Sequence, residues 1–407
     1  MPPLRPEPPF LMLEAIEREP ALAEQLASDA TASRAASEIA ALLRSAATSG
    51  WPAAVVGCGT SEHVAMAACE TWNDAWLAGE RAEIAGERAG LAAQRAEIMP
   101  ERAGVVPAGG GLAPARQGLA AVARQALEAA LDPWPGATIG ITHEGGSAAT
   151  VGAMRAARER GARVGVVTAA ANGPAAGAAE ALLCTGTLDL SWCHTIAYVT
   201  PVVAAALVGD ALSGHSTEPA ALRAPLDAGL DARPSAAALA AGLAGSGVIV
   251  VAASGVDRVA GRELALKIEE AAYVPTTFRD LETILHGHVP AMNAATGLVL
   301  LLSGGPGLEL RAARARQLLG AVGRVGVRSG AILAGPAADA IPDVLLPAGR
   351  VTVPTPRGLA APVASLLATA VPLQLTTYEL AVALGTNPDA LRREQPQYLA
   401  AARAAST

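Results

Sequence analysis

The stretch ELALKIEEAAY, residues 263–273, holds Lys267, the only lysine among 407 residues; every other lysine-or-arginine position is arginine. On a helix Lys267 and Glu270 lie three residues apart on one face, and Glu263 lies one turn before the lysine. The plain role for such a trio is a surface ion pair, Glu263 with Lys267 at i,i+4, worth about 0.3–0.5 kcal/mol. Arginine would serve it equally well. Lysine alone offers a compact point-charge amine, or one that can lose its proton, so its retention points to chemistry. Farther along, LHGHVP places His286 and His288 on a loop. A carboxylate and an imidazole are the groups that carry protons to and from carbon and oxygen. The HGH pair could also ligate a metal, but no third ligand with suitable spacing accompanies it, so no metal is expected.

Two glycine-containing loops could hold an anion. VVGCGTSEH sets Gly57, Gly59, Thr60 and Ser61 between a strand and a helix. ITHEGGSAAT sets Gly145, Gly146 and Ser147 in an equivalent place, with Thr150 one turn on. Small hydroxyl residues and free backbone N–H groups at a helix start attract anions; without a ligand the same residues simply cap helices. Neither loop is GxxxxGK[ST] or GxGxxG, so nucleotides are poorly supported and no cofactor is expected.

The elements that must position these groups alternate. Short apolar runs such as WPAAVV, ATIGIT and GARVGVV are separated by alanine-rich helical patterns. The same alternation returns in GSGVIVVAASG, RELALKIEEAAY, TGLVLLLSG and GRVGVRSG. That is the signature of βαβ units and parallel sheets, with ligands outside the carboxyl ends of the strands. The reading is therefore α/β, two doubly wound parallel-sheet domains in tandem, a divergent duplication by pattern. The divisions expected are an N-terminal arm and short helix over 1–30, a first domain over 31–215 and a second over 239–385. A tail over 386–407 follows. Residues 1–10 are proline-rich and expected to be disordered. A helix break is expected at Glu19–Pro20, with a second helix from Ala21 to about Thr48. Residues 214–238 read as a polar, proline-containing connector. Residues 73–130 fit the alternation least well: a helix, a flexible glycine turn in VVPAGGGLAP, and a poorly marked strand, with a lid or dimer arm as their role.

Composition narrows the partners. The chain is 52% apolar and 16% charged, with 3% aromatic residues, so its cores are built from Ala, Val and Leu and it is globular, not disordered. A net charge of −7 argues against nucleic acid or an anionic membrane as partner. Cys58, Cys69, Cys184 and Cys193 lack zinc spacing and suit buried free thiols of a reducing compartment. The N-terminus MPPLRPEPPF lacks the regions of a signal peptide. The longest apolar stretch, LAAPVASLLATAVPLQL from Leu359, carries two prolines and reads as a buried helix. A cytoplasmic protein is expected.

Taken together these motifs resemble the sugar isomerase (SIS) domain family, especially the isomerase half of glucosamine-6-phosphate synthase and its deglycase-like relatives. MLEAIEREPALAEQL is similar to the family's opening helices, VVGCGTSEHVA to its first sugar-phosphate loop, and ITHEGGSAATVGAMRAARERGA to its serine-rich second loop. ELALKIEEAAYVPTTFRDLETILHGH resembles the segment carrying a catalytic lysine, glutamate and histidine, and PLQLTTYELAVALGTNPDALRR the closing helix and tail. The likeness runs from about residue 11 to 395, interrupted mainly at 73–130. It implies flavodoxin-like SIS domains and a small-molecule sugar derivative as partner. By the same resemblance Glu270 is the base that moves a proton between C1 and C2, and Lys267 assists ring opening or holds a substrate oxygen. His286 matches the histidine of ring opening, which in the family reaches into the neighbouring subunit's site and so implies a homodimer. Thr60, Ser61, Ser147 and Thr150 match phosphate-loop positions, Gly145 allows close backbone approach, and Gly59 is expected to bind substrate with them.

Two departures matter. The family's second loop reads Ser-Gln-Ser-Gly-Glu-Thr, whereas this chain has Thr142, His143, Glu144, Gly145, Gly146 and Ser147. A carboxylate about 4 Å from a phosphate repels each of its charges by roughly 1–4 kcal/mol, and a helix dipole returns at most about 2 kcal/mol. Either Glu144 points away, or the ligand is not an ordinary sugar phosphate; a protonated His143 would compensate, or the His143–Glu144 pair would bind an amine or sugar hydroxyls. The family's synthases also carry a tail lysine for a Schiff base, where this chain has Arg392 and Arg393, which disfavours synthase-type ammonia transfer. The expectation is an aldose–ketose isomerase or a deglycase/deaminase working through an enediol or enolamine. The alternative is a non-catalytic or regulatory protein that binds a carbohydrate derivative.

Overall fold

A computed structural model describes residues 4–98 and 118–405. The first sheet holds β1 (Ala53–Gly57), β2 (Ala121–Gln125), β3 (Ala137–Thr142), β4 (Arg163–Thr168) and β5 (Ala181–Cys184). The second holds β6 (Val248–Ala253), β7 (Thr276–Asp280), β8 (Thr296–Leu302), β9 (Arg328–Ala334) and β10 (Gly349–Val353). Every pairing is parallel. The orders are β2-β1-β3-β4-β5 and β10-β9-β8-β6-β7. Counted from its own first strand, the second sheet repeats the order of the first, the flavodoxin-type winding.

The central strands β3 and β8 are buried at every residue, as parallel strands covered on both faces must be. β2 is an edge strand with a mixed, half-exposed pattern, which is why it is faint in the sequence. Its position is fixed from outside: the Asn73 amide exchanges two hydrogen bonds of 2.9 Å with the backbone of Ala121. The glycine turn expected over VVPAGGGLAP lies outside the described residues.

Three expectations are corrected. The N-terminal helix does not break at Pro20 but runs from Leu11 to Ser28. The break falls at Asp29, whose side chain accepts the N–H of Thr31 and starts the Ala30–Thr48 helix. Pro20 is buried, and packing overrides the lost hydrogen bond. Residues 4–10, expected to be disordered, are tied down: Arg5 pairs with Glu14 at 2.5 Å, its carbonyl accepts the Asn387 amide at 2.7 Å, and Phe10 is 4% exposed. The connector is helical, Pro219–Asp231 then Arg233–Leu243, with proline in the first turn of each where its missing N–H costs nothing. Leu222, Leu226, Leu239 and Leu243 bury its inner face.

Among the described residues two helices, Ile196–Ser213 and Ala361–Leu384, are long and apolar enough to cross a membrane, yet each has 83% of its apolar window buried inside the structure. The second is the helix expected from Leu359. With the N-terminal helix they join both sheets into one continuous core that includes Met12, Trp72, Tyr198 and Tyr378. Of the four thiols, Cys69 and Cys193 are buried, Cys184 is half-buried and Cys58 is exposed, so the expectation of burial is corrected for the last.

Candidate functional site

The lysine helix, Asp257–Ala272, lies between the two sheets and turns one face toward the first domain. Lys267 is 1% exposed and its ammonium stands 2.7 Å from Glu270 Oε2 and 3.6 Å from Glu263 Oε1. Glu263 is also 1% exposed, so the surface ion pair weighed from spacing is in fact an interior one. Its carboxylate accepts the Thr60 hydroxyl at 3.0 Å and meets His63 Nδ1 at 2.7 Å. Two residues of the first glycine loop and its helix are therefore latched to the second domain.

Burial opposes the Lys267 charge, but Glu270 and Glu263 outweigh it and hold the amine well above its ordinary range. That direction favours the compact cation over a deprotonated amine. Burial likewise opposes the Glu263 charge, yet Lys267, His63 and Thr60 together pull its carboxyl below the usual value. A small ammonium serves two carboxylates within one nearly closed space, where a planar guanidinium needs more room.

Glu270 differs from Glu263 in having an open side. It is 25% exposed and lines a cavity of about 400 Å3 with Glu269, Tyr273, Leu391, Arg392 and Tyr398. Behind it the Cys193 thiol donates at 3.6 Å, and burial pushes that thiol well up. Glu270 is thus a carboxylate backed by one cation and open to a ligand-sized space. A larger cavity, about 540 Å3, is lined by Thr71, Asp210, His215 and Val363. Asp210 there is committed to Thr217, and none of the expected residues reaches it.

The two glycine loops do converge. Cys58 Sγ lies 3.8 Å from Thr150 Oγ1, and Thr150 donates to Ser147 Oγ at 3.3 Å. Gly57 must lack a Cβ because the Ser61 carbonyl folds back over it, and Gly145 has φ +72° against Thr168 and Ala170. Gly59 turns the first loop at φ +58°, and Ser61 is half-buried. Glu144 is exposed, whereas His143 turns inward and is 8% exposed. Its Nε2 accepts the Asp189 N–H at 3.0 Å, and burial lowers its pKa despite the pull of Asp189 and Glu144. A protonated His143 is therefore not what offsets Glu144.

His286 is not brought to this cluster within one chain. It is 72% exposed, and its Nε2 meets Glu282 at 3.0 Å. His288 is half-buried on the same loop.

Sequence reasoning missed the polar floor of the site. Asp189 is 6% exposed and receives the N–H groups of Thr195, Ile196 and Ala197, anchoring the start of the Ile196–Ser213 helix. His194 lies 4.9 Å from the His143 ring, its pKa lowered to about 4, chiefly by burial. Glu19, fully buried, has its pKa raised by burial and by Asp189. His143, Asp189 and His194 offer metal-type atoms within 4.8 Å of one another. They fit an ion poorly: the Asp189 carboxylate is spent on the helix start, and His143 Nε2 already accepts a hydrogen bond. His63 had a legible signal, one turn after Thr60; Asp189, His194 and Glu19 had none.

Comparison with solved structures finds the same architecture over nearly the whole chain. The C-terminal domain of glucosamine-fructose-6-phosphate aminotransferase from Francisella tularensis superposes with a TM-score of 0.68 at 14% identity, covering 93% of this chain and 98% of that one. Tagatose-6-phosphate ketose/aldose isomerase from Escherichia coli gives 0.66 at 17% identity, with 94% and 95% covered. Glucosamine-6-phosphate deaminase from Thermotoga maritima gives 0.62 at 13% identity, with 93% and 97% covered. No family model matches the sequence, and no curated protein does. This chain thus has the two-sheet α/β fold of these proteins over nearly its whole length.

Proposed function

We propose that this protein moves a proton between adjacent carbons of a ring-opened sugar derivative, as an aldose–ketose isomerase or as a deglycase or deaminase sharing the same enediol or enolamine step. One observation carries the reading: the Glu270 carboxylate is held at 2.7 Å by buried Lys267 on one side and faces a cavity of about 400 Å3 on the other. A protein that only held a sugar would have no need of a carboxylate backed by a buried cation at that point.

In this reading Glu270 removes the proton from one carbon and returns it to the neighbour, a step to which a positioned base typically contributes about 10²–10⁴-fold. Lys267 stays charged throughout and steadies the carboxylate while negative charge develops on the substrate oxygen. His286, exposed and oriented by Glu282, protonates the ring oxygen in a second subunit's site. The neighbours' printed activities, transfer of an amino group, ketose/aldose isomerisation and deamination, agree with this class of chemistry.

The test is solvent deuterium uptake at C2 in a panel of aldoses, ketoses, amino sugars and their phosphates. Wild type should exchange at least one of them, and Glu270→Gln should lower the rate about 10²-fold or more. Exchange that persists in Glu270→Gln removes the assignment. A ligand that raises the melting temperature without exchange in wild type makes the protein a binder instead.

A further inference from the structure

Among the described residues only three that are not glycine adopt a left-handed backbone: Tyr273 with φ 59°, Leu391 with φ 47° and Arg392 with φ 56°. All three line the cavity that holds Glu270. Residues with a Cβ are strained in this region, and they persist there only where surrounding contacts impose it. Here the contacts are explicit. Asp389, wholly buried, accepts the Leu11 and Met12 N–H groups at 2.7 and 2.9 Å, and its carbonyl accepts the Trp192 N–H at 3.2 Å. The Tyr273 hydroxyl donates to the Asn387 carbonyl at 2.8 Å and accepts the Arg392 N–H at 3.1 Å. The tail is therefore pinned before Leu391, at Asn387 and Asp389, and again at the Arg392 N–H, and it bends between those pins.

What the bend delivers is a guanidinium. Arg392 stands 4.1 Å from the Tyr273 ring centre and 4.9 Å from that of Tyr398, and its Nη1 donates to the Tyr398 hydroxyl. No carboxylate lies within ion-pair distance of it among the described residues; the nearby Arg393 is instead laid over Trp192 at 3.6 Å. Stacking between aromatic faces and the Nη1 bond to Tyr398 hold the planar fork still, while Nη2 and Nε make no side-chain hydrogen bond among the described residues and remain as donors for an oxyanion. A cation this well placed and yet unpaired, beside a candidate base, is poised for a ligand's charge.

The other end of the site makes the same point by exclusion. At the glycine loops Glu144 is exposed and the Thr60 hydroxyl is committed to Glu263; the Arg392 cavity also holds the Glu269 and Glu270 carboxylates, but Arg392 is the one cation among its lining residues. We propose that Arg392 is the anion-recognition residue of this protein, taking a carboxylate or phosphate oxyanion of the substrate in the same cavity as Glu270. The substrate would then carry its negative charge close to the carbons that exchange the proton, rather than only at the far end of the sugar chain. This rests on Glu270 being the base, but the anion site can be tested without catalysis.

Binding of inorganic phosphate and of oxalate, each at constant ionic strength, should be measured by calorimetry on the full-length protein, wild type and Arg392→Gln. Wild type should bind at least one of them, and Arg392→Gln should weaken it about tenfold or more. Arg392→Lys keeps the charge without the fork and should fall between; it also serves if the glutamine variant does not fold. Preference for oxalate identifies a carboxylate, preference for phosphate a phosphoryl group. Glu144→Ser should leave the affinity of this site unchanged. Absence of binding in wild type, or equal affinity in wild type and both Arg392 variants, overturns the proposal. Glu270→Gln should retain anion binding, so loss of C2 exchange in that variant judges the base alone.

Discussion

Replacing Lys267 with methionine tests the interior ion cluster directly, because the side chains are nearly equal in volume and only the charge is removed. Glu263, 1% exposed and 3.6 Å from the ammonium, would lose its cation while keeping only His63 and Thr60. Breaking a buried pair by deleting one partner costs about 3–5 kcal/mol. The stranded carboxyl can escape by taking up a proton, and this sets a ceiling. From its ordinary pKa of 4.5 to pH 7, at about 1.4 kcal/mol per unit, that ceiling is about 3.4 kcal/mol. At pH 5 the same reckoning leaves about 0.7 kcal/mol. The sign follows from linkage: in wild type Glu263 is held below 4.5 and its pairing is already present at pH 5, whereas in the variant a stranded carboxyl with a raised pKa takes stability away as pH rises above 4.5, so the deficit grows from pH 5 to pH 7. Urea unfolding should therefore show Lys267→Met less stable than wild type by about 3 kcal/mol at pH 7, with the deficit shrinking by as much as about 2.7 kcal/mol at pH 5. Adding Glu263→Gln should recover most of the loss at pH 7. A deficit below about 1 kcal/mol at pH 7, or one that is equal at both pH values, would refute the reasoning.

Two further outcomes follow from other parts of the molecule. If His286 serves a partner's site, Glu270→Gln and His286→Ala are each inactive alone, but a mixed population regains about a quarter of wild-type activity once subunits exchange, since half the dimers carry one intact site; mixtures that stay inactive after proven exchange count against it. Glu19 is wholly buried with its pKa raised by burial and by Asp189, so it takes stability away as pH rises above the unfolded value of 4.5. Glu19→Gln should thus melt higher than wild type at pH 8 and at the same temperature at pH 4, as read by thermal denaturation.

The sequence by itself determined the fold class, the two glycine loops between strand and helix and the unusual status of Lys267. Those signals are local: central strands such as ATIGIT are continuous apolar runs because both faces are covered, and a single lysine stands out in any arginine-rich chain. Local rules failed where packing acts over distance. Pro20 sits inside a helix because the core around Met12 and Ile16 overrides its lost hydrogen bond, and β2 is faint because an edge strand covers little and borrows its hold from Asn73. The site divides in the same way. Spacing placed Glu263, Lys267 and Glu270 on one face, but whether that face was solvent or interior depended on the first domain closing over it with Thr60 and His63. Asp189 and His194 share the segment just before the Ile196–Ser213 helix, whereas Glu19 belongs to the N-terminal helix and joins them only because that helix packs against the same point. Arg392 reads as an ordinary tail residue until the left-handed bend at Leu391–Arg392 is known, and that bend exists only because Asp389 and Tyr273 grip the tail from opposite sides. Backbone strain imposed by distant contacts leaves no mark in the letters of the sequence; it is decided by the tertiary structure alone.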